Sequence, residues 1–165
     1  MNRHITKTGL IAAIIVLTVV LLAGCNSNAS LAKEALSNYL TKIGSSDYSG
    51  AYNMLSDFDK KYISEDDFDK WRKSVDKVLK KNSFTIGKKY DRFKDYDYYG
   101  TTFKDSYGFD VEWNQEYIIE GVEPIDYDKA NFKIMVVLEN ESYKIALFVE
   151  DLNERSDYYE SLIEN

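Results

Sequence analysis

The chain has 165 residues, a formal net charge of −7 and one cysteine, one histidine and one proline. A single thiol allows no internal disulfide, and an acidic surface repels the phosphates of nucleic acid. The one imidazole, His4, lies so close to the N-terminus that a Ser-His-Asp triad or a histidine-bound zinc in the body of the chain is excluded.

Arg3 and Lys7 precede an apolar run from Leu10 to Ala23, interrupted only by Thr18. At ~1.5 Å per residue such a helix reaches roughly 21 Å, short of the ~30 Å hydrocarbon core. A charged start, a short apolar centre and a small-residue end predict a secretory signal peptide over residues 1–24. The next stretch, Leu22-Ala23-Gly24-Cys25, resembles a bacterial lipobox. That resemblance implies a diacylglyceryl group on Cys25, cleavage before it, and a lipid-anchored protein on the extracytoplasmic face of a cell membrane. Two acyl chains hold a protein stably at a bilayer. Residues 25–29 are then the lipidated tether and residues 30–165 a single domain.

Ser30 is placed to cap a helix whose apolar positions Ala32, Ala35, Leu36, Tyr39, Leu40 and Ile43 recur at helical spacing before Gly44. A second, shorter stripe follows in Tyr48, Ala51, Tyr52 and Leu55. Ser64-Glu65-Asp66-Asp67 reads as a third N-terminus, with acids at the positive pole. Phe68, Trp71, Val75, Val78 and Leu79 form that helix's inner side, and Lys77, Lys80 and Lys81 complement its far end.

After Asn82 the period shifts to two. Phe84 and Ile86 alternate with polar residues, as do Tyr107, Phe109, Val111 and Trp113. Residues 132–138 are almost all apolar and predict a central strand. Asn140-Glu141 predicts a hairpin turn, with a return strand from Tyr143 to Val149. Residues 151–165 lean to a helix on the strength of Leu152, Tyr159, Leu162 and Ile163. Helices followed by a meander of about four strands make the fold class α+β.

Ala35-Leu36-Ser37-Asn38-Tyr39-Leu40, Ser46-Asp47-Tyr48-Ser49-Gly50-Ala51-Tyr52 and Ile63-Ser64-Glu65-Asp66-Asp67-Phe68 resemble the helical half of the NTF2-like (cystatin-like cone) superfamily. They are similar in particular to small domains of Gram-positive lipoproteins and of penicillin-binding transpeptidases. The resemblance implies N-terminal helices packed on a curved antiparallel sheet, with a cavity between. Trp71, Phe109 and Trp113 are the expected lining, and also read as ordinary core.

No acid stands isolated on an apolar strand face, so the sequence gives no general base of the cavity-enzyme type. Asp95 to Gly100 faintly resembles the start of an EF-hand loop, but its twelfth position would be Ser106, where a bidentate Glu is required. It reads as an acidic turn. No metal and no cofactor is expected beyond the lipid on Cys25. Tyr96, Tyr98 and Tyr99, in a chain with fourteen tyrosines, are the candidate interaction surface. The reading is a non-catalytic lipoprotein that binds an envelope protein, a cell-wall partner or a small apolar ligand. The alternatives are an accessory domain in peptidoglycan assembly and a cavity isomerase or dehydratase.

Overall fold

The computed structural model describes residues 27–125, 131–149 and 152–164. Contacts divide the chain into two units, residues 1–31 and 32–165. Of the first, only the entry to a helix is described. There Ser27, not Ser30, takes the capping place: its carbonyl accepts from the Ser30 N–H at 2.8 Å and its hydroxyl from the same group at 3.3 Å. Helix α1 runs Asn28–Gly44, so it begins inside the expected tether.

The second unit has the α+β architecture expected. α2 (Tyr48–Tyr52) is capped by Asp47, whose carboxylate accepts from the Gly50 N–H at 3.0 Å. A 3-10 turn at Asp59–Lys61 precedes α3 (Glu65–Val78), where the Ser64 hydroxyl accepts from Asp67 N at 3.1 Å. Leu36, Leu40, Ile43, Phe68, Trp71 and Val75 are buried, as their spacing requires.

Four antiparallel strands follow in the order β1-β2-β3-β4: β1 (Leu79–Tyr98), β2 (Thr101–Tyr117), β3 (Asn131–Glu139) and β4 (Ser142–Ala146). β1 starts earlier than its alternation suggested. Lys80 and Lys81 therefore belong to a strand and not to the end of α3, and Lys80 pairs across the ladder with Glu116 at 2.6 Å. β1 also runs on through Asp95, Tyr96 and Asp97, each facing a residue of β2. The expected acidic turn is thus strand, and the reversal is Tyr99-Gly100, both at positive φ (43° and 76°), the backbone that a tight hairpin demands. Asn140 and Glu141, at 47° and 64°, make the second hairpin as expected.

β3 lies between β2 and β4, and at Val136 and Val137 it is covered on both faces. Val136 and Val137 point oppositely, and both are fully buried. Beyond β4 the chain closes the sheet margin with an earlier segment. Ile145 donates to Met54 O at 3.0 Å and accepts from Ser56 N at 2.8 Å. The last element is a helix, α4 (Asn153–Ser161), which packs on α3.

Candidate binding surface

Between α1, α3 and the sheet lies a cavity of about 20 Å³, lined in part by Trp71, Trp113, Tyr39, Phe132 and Arg72. One water needs about 10–15 Å³ of such space, and small-molecule sites run to ~300 Å³ or more. At that size the lining side chains leave room for about one water. Two expected lining residues, Trp71 and Trp113, are in place. The third, Phe109, is not: it is buried four residues before Trp113 on β2, beyond Val111, against Tyr107 and Tyr90 at 6.3 and 5.7 Å.

Helical spacing alone did not mark Arg72, which is only 2% exposed. Its guanidinium lies 4.8 Å from the Trp71 ring and 4.9 Å from the Trp113 ring. Both tryptophans of the chain thus stack on one cation, a favourable arrangement when desolvated. The Asp76 carboxylate stands 4.0 Å from the guanidinium and also accepts from the Tyr48 hydroxyl. Burial, and then that carboxylate, push the Tyr48 phenol up to about 12.

A buried acid lies in the 3-10 turn, away from the strand faces that the sequence was read for. Asp59 is fully enclosed, and burial raises its carboxyl above the usual range while hydrogen bonds hold it down. Its oxygens accept from Leu147 N at 2.9 Å, Phe148 N at 2.7 Å and Ser56 Oγ at 2.7 Å. Phe148 sits at φ 55°, so the carboxylate holds a left-handed turn just after β4. With its oxygens engaged by Leu147 N, Phe148 N and Ser56 Oγ, Asp59 clamps the turn. Its signal was Ser56-Asp57-Phe58-Asp59, a Ser-x-x-Asp spacing.

The clamp fixes an aromatic surface. Phe58, next to Asp59, meets Tyr62, Tyr98, Phe148 and Phe103 at 5.2, 5.4, 5.9 and 6.1 Å. Tyr98 lies 4.1 Å from Phe148 and 4.7 Å from Tyr99. Tyr96 continues the run to Phe93 at 5.5 Å. Phe58, Phe103, Val137 and Ala146 form the buried floor, and Tyr96 and Tyr98 are half-buried upon it. Tyr99 is 72% exposed and Tyr62 49% exposed. The three expected tyrosines are therefore brought together. Tyr99 is outermost because it is a turn residue. Tyr62 joins from a segment the sequence reading passed over.

A polar cluster stands further along the same hairpin. Asp105, at φ 50° beside a register shift, accepts from Arg92 at 2.6 Å, Tyr107 at 3.1 Å and Tyr143 at 2.9 Å. Burial and the Asp105 charge raise the Tyr143 phenol well above its ordinary value.

Among the described residues, no group of three or more His, Cys, Asp or Glu is disposed to hold a metal ion, and no helix is long and apolar enough to cross a membrane. Cys25 and the expected signal peptide lie outside the described residues. No family model, curated protein or solved structure matches the chain.

Proposed function

We propose that this protein is a lipid-anchored, extracytoplasmic binding module of NTF2-like kind that performs no chemistry and docks a protein or cell-wall partner. The lipobox-like Leu22-Ala23-Gly24-Cys25 supports the anchor. A cavity of about 20 Å³ leaves no room for an apolar ligand, which favours a partner held at the surface. The observation that carries the reading is the ring cluster with Tyr62 and Tyr99 projecting from it. Tyrosine offers large contact area at low entropic cost, and exposed rings seated on a rigid aromatic floor are already ordered before a partner arrives.

The test is recovery of bound partners from detergent-solubilised membranes with wild-type protein and with Tyr62→Ser/Tyr99→Ser. The expected result is a species recovered with the first and lost with the second. Equal recovery with both would end the reading.

A further inference from the structure

β1 is a margin of the sheet. β2 takes one side of it, and among the described residues no strand pairs with the other. From Lys88 to Tyr98 every residue is exposed or half-exposed. Pairing with β2 is regular from Tyr90 to Tyr98, after the register shift between Ile86 and Tyr90. In an antiparallel ladder alternate residues turn both backbone groups toward the partner strand or both away. The outer side of this stretch therefore offers N–H and C=O groups in the order that a further strand pairs.

Both signs of charge stand on this edge, and their order decides what fits it. Residues 88–97 read Lys-Lys-Tyr-Asp-Arg-Phe-Lys-Asp-Tyr-Asp, basic at the start and acidic at the end. Laid antiparallel on a second copy, the basic end of each meets the acidic end of the other. A two-fold axis then fixes which residues face. Opposed residues must both turn toward the partner or both away, so the axis falls on a residue. On Asp91 or Asp95 it sets that aspartate against its own copy. On Phe93 it opposes Asp91 with Asp95, on Lys94 it opposes Asp91 with Asp97, and on Tyr96 it opposes Asp95 with Asp97. Like charges directly opposite destabilise a ladder. Between Asp91 and Tyr96 only Arg92 keeps every carboxylate apart. There Lys89 faces Asp95, Lys94 faces Tyr90 and Asp91 faces Phe93. The like-charge contact that remains is Arg92 with its copy, and each guanidinium is held by its own Asp105 at 2.6 Å.

We propose that two copies of this protein pair through the outer edge of β1, antiparallel about an axis at Arg92, so that one sheet runs through both. The contact, roughly nine residues a side, falls short of the 20–30 of a stable interface. The pair is therefore weak in free solution and is favoured where copies are confined together, as on a membrane surface. Neither Tyr62 nor Tyr99 belongs to the paired stretch, so this inference goes beyond the docking reading and stands or falls separately from it.

The test follows association of the full-length protein by sedimentation equilibrium in neutral detergent at low salt, up to ~1 mM. Lys89 and Asp95 are both exposed. Lys89→Glu and Asp95→Lys are each expected to weaken pairing about tenfold, since the two-fold axis reverses two contacts at once. Lys89→Glu/Asp95→Lys exchanges the charges across the axis and should restore it. The register is read by oxidation of Tyr90→Cys/Lys94→Cys. Its opposed Cα atoms, ~4.5–5.5 Å apart, suit a disulfide between copies. Tyr90→Cys alone, Lys94→Cys alone and wild type, which reports any link through Cys25, should give few linked dimers. A chain that stays monomeric at the highest concentration, a double exchange that does not restore pairing, or single variants that link as readily as the double would each overturn the proposal.

Discussion

Removing the Asp59 carboxylate is expected to unfasten the turn after β4. In Asp59→Ala the buried N–H of Leu147 and the part-buried N–H of Phe148 lose their acceptor. An orphaned buried donor costs about 1–3 kcal/mol. Phe148 would also keep its positive φ without support, at about 1–2 kcal/mol. Water entering the space left by the side chain offsets part of this, so the net loss is about 3 kcal/mol. For a domain of this size that lowers Tm by roughly 10 °C. The assay is thermal unfolding followed by near-ultraviolet circular dichroism, with exposed Asp57→Ala as a control expected to stay within about 0.5 kcal/mol of wild type. Asp59→Asn keeps one acceptor but turns an amide toward the second N–H, and should fall between the two. Amide exchange at residues 147 and 148 should accelerate more than in β2, because the break is local. A fall in Tm below about 3 °C for Asp59→Ala, with exchange unchanged, would refute the clamp.

The Tyr48 phenol, raised to about 12 from 10.0, binds its proton more tightly folded than unfolded. Its stabilising share is whole below pH 10 and fades as pH climbs toward 12. Tyr48→Phe should flatten that alkaline decline relative to wild type, measured as Tm against pH; parallel curves would count against it. Because Trp71 and Trp113 both stack on Arg72, intrinsic fluorescence reports on the cavity. Arg72→Met should change the emission, whereas titrated oleate should not; an oleate-dependent change would reopen the small-ligand reading. Cys25→Ala should abolish incorporation of a labelled fatty acid, and undiminished labelling would refute lipidation there.

The helices were legible because their signals are local. Ser64 with the acids after it, and Asp47 ahead of Gly50, cap through bonds that span three residues. The central strand Phe132–Leu138 was legible because a strand covered on both faces is apolar throughout. β1 was not. Between Lys88 and Asp97 it shows charge without alternation, since water lies against most of it, and only the pairing with β2 reveals it as strand. The aromatic surface was half legible. The crowding of Tyr96, Tyr98 and Tyr99 pointed to it, but Phe58, Tyr62 and Phe148 join through folding. Asp59 was legible only as a local Ser56-x-x-Asp59 turn, because its backbone partners lie 88 and 89 residues away. Arg72 was hidden by its chemistry, since an arginine beside a tryptophan on a helix ordinarily faces water.

The strap from Met54 to Ser56 lying along Ile145 has a consequence for how copies of this protein can gather. A molecule whose sheet is free at both flanks can be chained side by side indefinitely, the geometry of a fibre. Here one flank is occupied at Ile145 by the protein's own backbone, and growth of a shared sheet through that flank would meet it there.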